Sequence, residues 1–207
     1  MTAETQTQIS APVQIPAPKQ HRVLVTGSRE WADFDLVDQA LDAALALLQV
    51  PITMQDTVTL CHGAARGLDS LAAAVAGGRG WKVEEHPARW NEHSADCPAW
   101  HLTPIVQSTC KMAGHRRNHE MIALGADVVI AFPTGEENSG LSKGTWGCAR
   151  AAMEAQLPTL VLWKNNFWPW SQSARQLVID ERARTLKDPA DHNAAPAPVG
   201  TLLPIPF

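Results

Sequence analysis

The chain has 207 residues, 45% of them hydrophobic and 18% charged, with a formal net charge of −4. That length supports one domain with a real core and is too short for two large ones. No apolar run is long enough to span a bilayer, and the start lacks the basic and apolar stretches of a signal peptide. A cytoplasmic protein without a membrane partner is therefore expected. The acidic balance also argues against a dedicated nucleic-acid binder, whose affinity rests on phosphate contacts.

Residues 1–20 are polar and rich in Thr, Gln, Ala and Pro, and they read as a disordered tail because they cannot bury enough surface to offset ordering entropy. Val23 to Thr26 is a short apolar and β-branched run, hence a buried strand. From Asp33, a plausible N-cap, to Leu48, apolar residues recur at helical spacing. Thr57 to Cys61 reads as a second strand, and Asp69 to Gly77 as an alanine-rich helix ended by Gly77-Gly78. Trp81 to His86 is a third strand, toward an edge. A helix over Arg116 to Leu124 and a fully apolar strand over Asp127 to Phe132 follow. A helix from Thr145 to Gln156 and a strand from Thr159 to Trp163 complete the series. The Ala- and Pro-rich stretch from about Asp188 is another loose segment.

Strands alternating with helices imply an α/β fold, a Rossmann-like doubly wound parallel sheet with helices on both faces. The expected organisation is a tail over 1–20, a domain over 21–164 with an insertion loop at 91–114, and a C-terminal extension over 165–207. The natural strand order is 3-2-1-4-5, which puts a topological switch between the first and fourth strands, where ligands bind.

Three loops would gather at the carboxyl ends of those strands. The first carries Gly27, Ser28 and Arg29, and the second runs from His62 through Gly63 and Gly67 to Asp69. The third ends in Lys143, Gly144 and Thr145, at the start of a helix. Glycine lets a backbone approach a ligand, and bare amides at a helix N-terminus attract anions. Each loop alone also reads as an ordinary turn; three at one end of a sheet point to a ligand cradle. Asp69 either caps its helix or reaches a ribose hydroxyl or base edge. The GxxxxGK[ST] order is absent, so no NTPase chemistry is expected.

The segments VTGSREW, HGAARGLDSLAAAVA, AGHRRNHEM, GADVVIAFP and SKGTWGCA, in that order, resemble the SLOG superfamily, and within it the YspA-related branch. The resemblance covers roughly residues 22–163. It implies a Rossmann-like fold, binding of a nucleotide or nucleotide-derived small molecule, and a homodimer with the site near the interface. The superfamily includes the LONELY GUY phosphoribohydrolases and the DNA-processing protein A family. The first of these hydrolyse an N-glycosidic bond with an Arg-Lys pair and a PGGxGTxxE motif. Here Arg117 matches the arginine, Asn118 stands in place of the lysine, and Gly144-Thr145 match the GT. The acidic position falls on Cys148, a poor substitute for a carboxylate. Glu120, about one helical turn after Arg117, is the alternative catalytic carboxylate or a solvated helix residue. A sensor or binding module is the leading reading; an N-ribohydrolase using Arg117 and Glu120 and a single-stranded DNA binder are the alternatives.

The 91–114 segment holds His93, Cys97, His101 and Cys110, with His115 just beyond, and the set Cys97, His101, Cys110 and His115 is the one singled out. Two Cys and two His make a tetrahedral zinc set, although the spacing is not that of a standard finger. Such a structural zinc would staple a loop with little core of its own. Unbound thiols or a Cys97–Cys110 disulfide are the alternatives. Trp163, Trp168 and Trp170 would stack on a base, cover an open sheet edge or form a subunit contact.

Overall fold

The computed structural model describes residues 17–95, 97–98 and 109–187. Most of the N-terminal tail, the segment from Asp188 onward and His101 lie outside the described residues. Six strands, β1 (His21–Gly27), β2 (Val58–His62), β3 (Lys82–Glu85), β4 (Val128–Phe132), β5 (Thr159–Trp163) and β6 (Asn166–Pro169), form one sheet in the order β3-β2-β1-β4-β5-β6. The first five are parallel, in the order expected from the sequence. β6 adds an antiparallel edge against β5.

Alternation along the strands sorts side chains between two cores. Val23, Val25, Leu60, Val128 and Ile130 face α1 (Phe34–Leu48), α2 (Leu68–Gly78) and α5 (Gln172–Lys187). Leu24, Cys61 and Val129 face α3 (Ala113–Ala123) and α4 (Lys143–Glu154). A sheet covered on both faces accounts for the near-continuous apolar runs in β1 and β4. Asp33 caps α1 as its sequence position predicts, accepting from the amide of Leu36 at 3.0 Å. α2 runs through Gly77 and Gly78 and turns only at Gly80, where φ is +78°.

The region after Trp163 carries more structure than its composition suggests. Leu160 and Val161 pair with Pro169 and Trp168, so the tryptophan-rich segment supplies the edge strand. Ser171 accepts from the amides of Thr159 and Ala174, joining β5 to the start of α5. Ala174 and Val178 then enter the core beside α1. Among the described residues no helix is long and apolar enough to cross a membrane.

Candidate functional site

β1 and β4 end side by side, with Gly27 opposite Phe132, and neighbouring strands lead away in opposite directions. The N-termini of α2 and α4 both lie at this end of the sheet, and they differ. The N-terminus of α2 is closed by protein. The amide of Leu68 donates to the carbonyl of Ser28 at 3.1 Å. Gly67 has φ +78° and ψ −123°, a conformation glycine tolerates, and a Cβ there would collide with the backbone of Ser28 and Arg29. A Cβ at Gly27 would collide with the side chain of Leu68. These two glycines thus allow the first loop to lie directly on α2.

The second loop is braced by three polar side chains. Buried His62 accepts at Nδ1 from the amide of Ala64 at 3.1 Å, and Ala64 is held in the left-handed region at φ 52°. Asp69, 5% exposed, accepts at Oδ2 from the amide of Ala65 at 3.1 Å. It therefore ties the loop rather than capping α2. Arg117 lies over Gly63, in the space a Cβ would need, and donates from Nη1 to the carbonyls of Gly63 and His86. Burial raises the pKa of Asp69, against partial compensation from His62 and Arg117, and lowers those of His62 and Arg117, against partial compensation from the Asp69 charge. A left-handed alanine costs free energy that surrounding contacts must offset, and such strain concentrates at functional sites.

The N-terminus of α4 is open. Gly144 is exposed, and beyond its chain neighbours and the backbone of its own helix nothing among the described residues lies within 4 Å of where its Cβ would stand. Thr145 is buried behind it. Ser142, left-handed at φ 51°, starts the helix and accepts from the amide of Thr134 at 2.9 Å. Asn118 connects this terminus to the arginine: its Oδ1 accepts from Nε of Arg117 at 2.9 Å and its Nδ2 donates to the carbonyl of Gly144 at 3.4 Å. Among the described residues Nη2 of Arg117 makes no hydrogen bond.

Beside Arg117 is a cleft of about 210 Å³ between α3 and the 89–94 arm, lined by Arg89, Glu92, Arg116, Arg117 and Glu120 among others. Glu120 is exposed and accepts from Arg89 at 3.4 Å. Arg29 lies 5.6 Å over the ring of Trp90. Cys148, where phosphoribohydrolase-like sequences carry the acid, is fully buried in the α3–α4 core, and burial pushes its thiol up to about 11. It neither gives nor takes a proton near neutral pH.

Of the expected metal ligands, Cys97 and Cys110 are adjacent, their sulfurs 3.7 Å apart with no disulfide between them. His115 is exposed and stacks its ring edge-on against His119. His93, which sequence spacing did not single out, joins the two cysteines instead. Trp90 is a site-building residue that sequence reasoning missed, and His62 and His93 were named there without a role. His62 opens the HGAARG motif and His93 stands four residues before Cys97, whereas Trp90 had no local signal.

A model of the YspA, cpYpsA-related SLOG family (YAcAr) matches residues 21–93. The gene 61 protein of Mycobacterium phage D29 is 38% identical over 144 residues, covering 67% of this chain and 94% of that one. The chain belongs to the YspA, cpYpsA-related SLOG family. Two solved structures are more distantly similar. The structural-genomics target TM1055 is 16% identical with a TM-score of 0.42, over 76% of this chain and 80% of that one. DNA processing protein A from Streptococcus pneumoniae is 16% identical with a TM-score of 0.46, over 78% of this chain and 56% of that one. The chain thus spans little more than half of the latter protein's length. Family membership agrees with the Rossmann-like sheet.

Proposed function

We propose that this protein binds a phosphate-bearing nucleotide or nucleotide-derived ligand at the carboxyl end of β1 and β4, as a sensor or binding module without turnover. The observation that carries this reading is the Asn118 bridge between Arg117 and Gly144. It brings a guanidinium with a spare N–H edge next to an open helix N-terminus at the topological switch point. The α4 amides and Nη2 of Arg117 would take the phosphate. The adjoining cleft, with Arg116 and Arg89, would take the rest of the ligand.

Burial of Cys148 supports binding over hydrolysis, because that position supplies no carboxylate. Glu120 lines the same cleft as Arg117, so a ribosyl hydrolase would have to use it. Incubation with nucleoside monophosphates and chromatography for free base separates the two readings: release of base that Glu120→Gln abolishes would establish turnover.

Binding is tested by native mass spectrometry of the purified chain, analysis of any released small molecule, and thermal melts with a panel of nucleoside monophosphates. A bound nucleotide, or a melting shift that Gly144→Glu removes, is expected. A chain that carries no nucleotide and whose melting no nucleotide moves sinks the reading.

A further inference from the structure

Among the described residues between β3 and α3 the apolar core is small: Cys97, Cys110 and Ala113 cluster with Ala88 and Met112. In the same segment the ligand atoms of His93, Cys97 and Cys110 all lie within 4.8 Å of one another. The two sulfurs are 3.7 Å apart. A disulfide would place them at about 2.0 Å. Two thiolates each about 2.3 Å from a zinc ion, at the tetrahedral angle, would stand about 3.8 Å apart. The observed separation fits one edge of a tetrahedral coordination shell, with a sulfur at each end. Arg116 donates to both sulfurs, from Nη1 to Cys97 at 3.3 Å and from Nη2 to Cys110 at 3.4 Å. N–H donors on ligating thiolates are the usual outer shell of a zinc–cysteine site.

We propose that His93, Cys97 and Cys110 bind a zinc ion, with Arg116 as its outer-shell donor and without His115. Soft thiolates with an imidazole select zinc over magnesium or calcium, which take oxygen ligands. The ion would join the arm that carries His93 and Cys97 to the residues leading into α3. It would also fix what that arm carries. The amide of Cys110 donates to the carbonyl of Trp90 at 2.6 Å, Arg116 donates to the carbonyl of Glu92 at 2.7 Å, and the Trp90 ring supports Arg29. Arg116 is thereby set in the wall of the cleft beside Arg117. This inference does not depend on the identity, or the existence, of a nucleotide ligand.

The test is metal analysis of the full chain purified under reducing conditions, followed by exchange to cobalt(II). Equimolar zinc is expected. The cobalt form should show intense tetrahedral d–d bands and a sulfur-to-cobalt charge-transfer band, which the wild-type chain reports without any substitution. Cys97→Ser and Cys110→Ser should each lose the metal, and His93→Ala should bind it at least tenfold more weakly, whereas His115→Ala should keep it. Melting curves separate loss of metal from loss of fold in each variant. A reduced chain that takes up neither zinc nor cobalt overturns the proposal. So does loss of metal in His115→Ala with retention in His93→Ala.

Discussion

Two helix N-termini at the same end of the sheet are both led in by glycine, yet they serve different ends. At α2 the glycines make room for protein: Gly27 for Leu68, Gly63 for Arg117, and Gly67 for the backbone of Arg29. At α4, Gly144 makes room for nothing in the chain. A glycine-rich loop beside a helix is thus as consistent with close packing as with an anion site. What decides between them is whether the missing Cβ volume is already occupied.

Substitutions should make this contrast measurable. The largest effect is expected at Gly67, where alanine meets both an unfavourable φ and neighbouring backbone. Gly67→Ala should cost about 3 kcal/mol or more in urea unfolding. A cost under about 1 kcal/mol would show that the β1 loop can move away and that the α2 terminus is accessible too. Next comes Arg117→Ala, which leaves the carbonyls of Gly63 and His86 without their donor. A loss of about 2 kcal/mol is expected, only partly restored by lysine, whose single ammonium lacks the forked geometry. Equal stability of the alanine variant and wild type would remove Arg117 as the brace of the second loop.

A smaller effect concerns pH. Burial depresses the pKa of His62 below its ordinary 6.5, so the unfolded chain takes up a proton at higher pH than the folded one. The stability contributed by neutral His62 is full above pH 6.5 and declines as the pH falls toward the folded value. Asp69 acts in the opposite direction. Its pKa is raised above 3.8, so it costs stability once ionised and that cost disappears on acidification. His62→Gln should flatten the decline below pH 6.5, measured by denaturant unfolding across pH. An unchanged slope would assign the decline to other groups. The smallest effect on stability belongs to Gly144→Glu. With open space and a helix N-terminus that favours a carboxylate, the change should stay within about 0.5 kcal/mol. Its effect on a phosphate-bearing ligand should nevertheless be complete.

Much of this architecture was legible in the sequence because its signals are local. The apolar runs of β1 and β4, the helical period of α1 and the cap at Asp33 each depend on residues close in the chain. β6 and α5 were not read, since β6 is four residues containing proline and its partner β5 is needed to make it a strand. The signal for α5 was present but thin: Ser171 as a cap, then Ala174, Leu177 and Val178 at helical spacing.

The sequence by itself determined the layer pattern and the family, because periodicity and motif order survive without knowledge of contacts; the strand order was only the natural expectation for such a fold, and the structure fixed it. It also drew attention to Arg117, Asn118 and Gly144, though not to the bridge among them. Only the tertiary structure decided which glycines are filled, that Asp69 ties a loop, that Cys148 is core, and that His93 stands with Cys97 and Cys110 where His115 does not. Each of these depends on which atoms from distant parts of the chain occupy the same few ångströms, and a linear pattern does not encode that distance.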